Sequence, residues 1–259
     1  MIKILKVINI ARVQLIMRKT SHMWIFVVFI QPLLYLFMIW MILKGSDRKI
    51  YTVDTIIGAG MMGTWSSILF SSGADIERER QWGTLEMLVG SPTSLSTIIM
   101  GKALTNSFSG IFSMILAYLT ILSFNQQVII KHPLLFCLTL IITLISVSAI
   151  GMIVCTLFTL SRAARGLINI METPIFLLSG IMFPITILPF WSRPASYILS
   201  LTWGIEALKK TSGGINNWAD YKMDLAILIV LTIFYIILSL WLFKIVENKA
   251  KKSATLGVF

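Results

Sequence analysis

Acidic residues are scarce in this chain: 11 Asp and Glu stand against 22 Lys and Arg over 259 residues, and charged residues of both signs make up only 13%. Soluble domains carry roughly 25% charged residues and need them for a polar surface. With 57% of its residues hydrophobic, a soluble globule of this composition would precipitate. The net charge of +11 does not indicate nucleic acid, because the basic residues lie in short tracts between long apolar runs and not along one stripe. Cysteine is equally sparse. Cys137 and Cys155 fall in one predicted helix, about 27 Å apart at 1.5 Å per residue, too far to pair. The two histidines, His22 and His132, lie at opposite predicted membrane faces and form no metal set. No H-E-x-x-H or G-x-S-x-G occurs, which argues against an intramembrane enzyme. Gly101-Lys102 is followed by Ala103 and lacks the earlier glycine of a phosphate-binding loop. If this protein works with ATP, another chain binds it.

The chain is rich in long apolar segments. A spanning helix needs roughly 20 apolar residues, and on that criterion spans are expected near 24–43, 55–74, 103–123, 134–158, 168–188 and 224–243. The apolar run after the basic start is too long for a signal h-region and lacks a small-residue cleavage site, so it is expected to be a retained first span. An even number of spans puts both termini on one side. That side collects Lys3, Lys6, Arg12, Arg18, Lys19, Arg78, Arg80, Lys102, Arg162, Arg165, Lys244, Lys249, Lys251 and Lys252. The positive-inside rule makes it the cytoplasm, and anionic lipid there suits the basic tracts. Residues 1–23, with Ile4, Leu5, Ile8, Ala11, Leu15 and Ile16 at helical spacing, form an amphipathic interface helix. Residues 24–246 form the transmembrane domain and 247–259 a cytoplasmic tail.

In the second span Gly58, Gly60 and Gly63 spell G-x-G-x-x-G. A dinucleotide site needs a strand before such a motif and a helix opening after it; these glycines sit inside an apolar run. With Ser66, Ser67, Ser71 and Ser72 they are expected to let helices approach closely. Glu172 is the one acid well placed to enter a span. It marks a candidate intramembrane polar site, with either pairing to Arg162 or Arg165 or a substrate or proton role.

The loop 75–101 carries mixed charge and then a punctuated apolar piece, which predicts two short helical elements. Gly83 ends the first, Thr84 caps the second, Leu85, Leu88 and Val89 form its apolar face, and Ser91-Pro92 opens the helix into the third span. Farther on, Pro184, Pro189 and Pro194 with Trp191 and Trp203 exclude both a plain aqueous loop and one continuous span. Short re-entrant helices at the outer interface fit over 189–222. Glu206 would sit on one of them, either bridged to Lys209 or Lys210 or serving a gate.

Two blocks of residues resemble the type 2 ABC transporter permeases. Glu77-Arg78-Glu79, Gly83-Thr84-Leu85-Glu86 and Ser91-Pro92-Thr93-Ser94 are similar to the family's charged run followed by G-T-L-E and S-P-x-S. The segment from Leu178 through Gly180 to Pro184, then Leu188-Pro189, and Trp203-Gly-Ile-Glu206-Ala-Leu-Lys209 match the S-G-x-x-F-P, L-P and E-A-L-R blocks. Ser200 and Lys209 depart from the usual proline and arginine. The resemblance implies an all-α integral membrane protein with six transmembrane helices, multi-pass in the cell membrane. It implies a coupling helix in which Glu79, Gly83, Thr84, Leu85, Glu86, Leu88, Val89, Ser91 and Pro92 dock an ABC ATPase. It also implies a re-entrant or gating region holding Gly180, Pro184, Pro189, Trp203, Glu206 and Lys209. The expected assembly pairs this chain with a second permease, identical or related, and two ATPase subunits. ATP and Mg would sit on those partners, with no cofactor and no nucleic acid on this chain. The expected cargo is a lipophilic drug, antibiotic or hydrophobic peptide. A lipid-linked glycan or teichoic-type polymer is the alternative cargo, and an ATP-independent channel or secondary transporter the alternative class.

Overall fold

The computed structural model of the chain describes residues 2–18, 22–43, 48–81, 83, 95–123, 130–160, 164–182 and 184–253. Among the described residues there is no strand. The helices, in order, are α1 Ile2–Arg18, α2 His22–Ile25, a π-helical turn Phe26–Ile30, α3 Gln31–Leu43, α4 Arg48–Gln81, α5 Leu95–Ser123, α6 Pro133–Leu160, α7 Ala164–Leu178, a 3-10 turn Ile185–Ile187, α8 Arg193–Ile198, α9 Ser200–Gly213 and α10 Trp218–Ser253.

α4 is the hub. Every residue from Thr55 to Leu69 is buried, and the helix packs against α3, α5, α6, α7 and α9. Its glycines permit this. A Cβ on Gly60 would lie 2.8 Å from Met114 Cγ and 3.1 Å from Met114 Cα on α5, and one on Gly63 would lie 3.0 Å from both Pro32 Cγ and Ser113 Cβ. The expected close approach is therefore made within the chain, to α3 and α5.

The helices around α4 wear their apolar faces outward. On α10, Tyr221, Asp224, Leu228, Thr232, Tyr235, Ser239 and Phe243 turn inward, while Val230, Ile233, Phe234, Ile237 and Trp241 are exposed. On α5, Thr105, Ser109, Ser113 and Ala117 step inward every fourth residue beneath exposed Phe108, Phe112, Ile115 and Leu119. Many of the inward hydroxyls return their hydrogen bond to the carbonyl four residues back, as Ser109 does to Thr105 O at 3.1 Å and Thr232 to Leu228 O at 2.6 Å. Small residues inside and bulky apolar residues outside form the pattern of helices solvated by lipid. Among the described residues Pro133–Val154 and Trp218–Ile245 are long and apolar enough to cross a bilayer, with Val7–Met17, Phe26–Met41 and Ser107–Ser123 as shorter apolar stretches.

Two expectations change. The helix expected over 168–188 ends at Leu178: Gly180 takes a left-handed φ of +75°, and the chain runs extended at Pro184 before turning at Ile185–Ile187. The first element expected in loop 75–101 is not separate, because α4 continues unbroken through Asp75, Glu77 and Glu79 to Gln81. Gly83 does stop it, with a φ of +68°, a backbone state that glycine reaches without Cβ strain. Of the expected N-terminal element 1–23, α1 forms over Ile2–Arg18 and packs on α5 through Ala11 and Ile10, leaving Ile8, Val13 and Ile16 exposed.

Candidate functional site

Two proline-marked helix irregularities converge on α4. Pro32 has no N–H to offer its own helix, and just before it the backbone opens into the π turn, with Gln31 N bonding Phe26 O five residues back. Pro174 lies inside α7. Gln31, Tyr35 one turn further along α3, and Glu172 beside Pro174 meet Ser66 of α4.

At this meeting point Glu172 Oε1 accepts three hydrogen bonds. Tyr35 Oη donates at 3.0 Å, Gln31 Nε2 at 3.3 Å, and Ser66 Oγ at short range. Gln31 Nε2 also reaches Tyr35 Oη and, at 3.4 Å, Ser66 Oγ. Each hydroxyl has one proton, so once both are given to the carboxylate the 3.0 Å contact between Tyr35 Oη and Ser66 Oγ is one of proximity only. The carboxylate likewise fixes the amide of Gln31: turned over, its carbonyl would face an anion. The orientation that suits Glu172 leaves Gln31 Oε1 buried with no hydrogen-bond partner. Tyr35 is held in place by an edge contact with Phe176, ring centroids 5.5 Å apart.

The pairing expected for Glu172 involves Arg162, which lies outside the described residues, and Arg165, whose side chain is likewise undescribed. Sequence reasoning flagged Glu172 but missed Gln31 and Tyr35. The available signal was a Gln-Pro step inside an otherwise apolar run.

A second polar region lies at the end of the bundle where α9 meets α10. Lys210 pairs with Asp224 at 2.5 Å, and Lys209 Nζ donates to Gly180 O at 3.2 Å. Among the described residues no ion pair joins Glu206 to either lysine. Glu206 is half-buried and, with Lys209, lies within electrostatic reach of Asp54 on α4. Trp203 Nε1 donates to Tyr197 O at 2.9 Å. Pro189 O accepts from both the amide and the hydroxyl of Ser192, at 3.0 and 2.9 Å. Pro184 O accepts from Ile187 N at 3.1 Å. Arg193, not singled out from the sequence, holds this turn by donating to Leu188 O at 3.1 Å and Thr186 O at 2.8 Å. Phe190 and Trp191 stand 85% and 78% exposed at its tip.

Of the coupling residues, Glu79 lies on the last turns of α4 and Gly83 is exposed just beyond. Thr84, Leu85, Glu86, Leu88, Val89, Ser91 and Pro92 lie outside the described residues. No group of three or more metal-ligating side chains occurs among the described residues. Cys137 is an exposed free thiol on α6.

The model of the family described as ABC-2 type transporter matches residues 7–211. That stretch runs from α1 through nearly all of α9 and includes both polar regions up to Lys210. The chain is also 27% identical over 153 residues to proteins named "Probable multidrug ABC transporter permease YbhR", from Escherichia coli strain K12 and from Escherichia coli O157:H7. The aligned part covers 59% of this chain and 40% of each relative, so the chain spans about two-fifths of their length.

Proposed function

The chain belongs to the ABC-2 type transporter family, and from that premise we propose that it is the permease subunit of an ATP-driven exporter whose ATPase is a separate chain. The observation that carries this reading is the length of α4. Its 34 residues extend about 51 Å at 1.5 Å per residue, against a hydrocarbon core of about 30 Å. The buried stretch Thr55–Leu69 fills the bundle, and the helix then runs on through Asp75, Glu77, Arg78, Glu79 and Arg80 before Gly83 stops it. A rigid rod thus links the centre of the membrane domain to the residues that resemble a coupling element. Motion imposed at 83–94 by an ATPase would be delivered directly to the hub.

In this reading the chain crosses the membrane six times, through α2–α3, α4, α5, α6, α7 and α10. Both termini face the cytoplasm, α1 rests in the interface, and α8 and α9 form the outer re-entrant region. Two such chains, identical or related, line a path, and two ATPase subunits carry the ATP and Mg. The apolar helix faces and the name of the Escherichia coli relatives both favour a lipophilic cargo such as a drug, antibiotic or hydrophobic peptide.

The test is on the coupling element. The tagged chain purified in mild detergent should retain a second polypeptide that hydrolyses ATP. A Leu85→Ala, Leu88→Ala variant should release it, since truncating a well-buried leucine costs about 2–5 kcal/mol. Glu86→Gln, which alters a rim charge worth about 0–1 kcal/mol, should retain most of it. Wild-type ATPase retention and transport in the double variant would remove the coupling assignment.

A further inference from the structure

The Glu172 cluster is arranged as a pole of negative charge and unused acceptor capacity inside an apolar bundle. All three hydrogen bonds to its carboxylate from described residues end on one oxygen, Oε1. Beside it the carbonyl Oε1 of Gln31 is buried and unpartnered. An anion in such a place is costly unless a cation or further donors meet it. A purely structural role would not require the charge, because a glutamine at position 172 could accept the same hydrogen bonds from Tyr35 and Ser66. Glu172 and Tyr35 are half-buried, and Leu34 and Ile170, close to them in sequence, are exposed, so Glu172 opens toward the flank of the bundle with Gln31 Oε1 buried behind it. The orphaned carbonyl, the charge and the exposed apolar surround together describe a ligand with a donor-bearing cationic head and an apolar body.

We propose that Glu172 and Gln31 Oε1 form the head-group subsite for a lipophilic cation, with Tyr35 and Ser66 holding the carboxylate in place. The inference rests on reading the chain as a permease and specifies the chemical class of its cargo. Tyr35 donates one of the three hydrogen bonds to the carboxylate, and its ring, kept in Tyr35→Phe, stands beside the charge where a cation can meet it.

The test uses the full-length chain in maltoside micelles, with ethidium as the cationic probe and Nile red as a neutral probe of similar size, both followed by fluorescence anisotropy. Glu172→Gln should weaken ethidium binding about tenfold or more, the loss of one useful charge pairing in a poorly hydrated site, and leave Nile red within about twofold. Titrating phosphatidylethanolamine distinguishes the sources of the cation: competition with ethidium identifies a lipid amine as the occupant, and lack of competition identifies a soluble cargo. The proposal is overturned if wild-type chain does not bind ethidium, if Glu172→Gln binds it unchanged, or if both probes weaken by the same factor. Binding is read without the ATPase. An ATPase that fails to associate would therefore sink the exporter reading without touching this result, and an unchanged ethidium affinity would sink the subsite while leaving the exporter reading intact.

Discussion

The two polar regions of the bundle solve the same problem in opposite ways. At the α9–α10 end each lysine is spent: Lys210 on Asp224, Lys209 on the carbonyl of Gly180. At the α3–α4–α7 junction a carboxylate rests on two hydroxyls and an amide, and the amide's own carbonyl is left over. The first arrangement is closed in the sense that both lysines tie one segment to another. The second is open, with charge and acceptor capacity in excess of what the described residues consume. Structural polar groups are expected to close their account within the protein, so the open region is the one to connect with a ligand. α4 sits between the two, bearing Asp54 near the first and Ser66 at the second, separated by 12 residues, about 18 Å of helix.

Unseating α4 should therefore disturb both regions together and gives the largest effect. Gly60→Leu places a side chain where even a Cβ would meet the α5 backbone at 3.1 Å, and backbone cannot move aside as a flexible side chain can. Overpacking of this kind costs about 1–3 kcal/mol, and the rigid neighbour puts this case near 3. The expected outcome is a lowered unfolding temperature in detergent together with loss of ethidium affinity. Unchanged stability would mean that α4 and α5 separate more easily than their packing indicates.

Breaking the closed region alone should be milder and should leave the open one untouched. Asp224→Asn keeps a polar group opposite Lys210 but removes the charge. Hydrogen bonds involving charged groups contribute about 1.5–3 kcal/mol, and the Lys210 side chain is 33% exposed, so hydration returns part of that. A loss of about 1–2 kcal/mol in thermal or denaturant unfolding is expected, with ethidium binding unchanged. A drop in ethidium affinity would join the two regions into one site and remove the contrast.

The sequence exposed the closed region less well than the open one, for a physical reason. The glycine run at 58–63 announced a close helix approach, and the breakers Gly83, Gly180 and Pro184 announced ends, because each acts within a few residues of itself. Glu172 announced a polar site because an acid in an apolar run has no other explanation. Its partners were illegible: Gln31 lies 141 residues away in sequence, and only the folded bundle brings the two to 3.3 Å. Local pairing rules suggested Glu206 with Lys209 or Lys210, three or four residues on. The observed partner of Lys210 is Asp224, 14 residues on, across the turn at Gly213 and Gly214. The fifth span came out too long because hydropathy counts apolar residues through Gly180 and Pro184, where backbone geometry has already ended the helix.

The smallest expected effect separates support of the carboxylate from possession of the charge. Tyr35→Phe removes one of the three donors to Glu172 Oε1 and leaves the ring against Phe176. Ser66 and Gln31 continue to donate, so the carboxylate is weakened in its bonding without being abandoned. A hydrogen bond to a charged group contributes about 1.5–3 kcal/mol, and with two donors remaining only part of that is lost, so the drop in unfolding temperature should be small and below that expected for Asp224→Asn. Ethidium should bind at least as tightly as to the wild type, because a carboxylate with fewer internal donors has more to gain from an external cation. That sign distinguishes the open region from the closed one: removing an internal partner from a structural cluster lowers stability with no gain elsewhere, whereas removing one from a ligand subsite shifts its unused capacity toward the ligand. A Tyr35→Phe variant that loses as much stability as Asp224→Asn, and loses ethidium with it, would place the Glu172 cluster among the structural ties of the bundle.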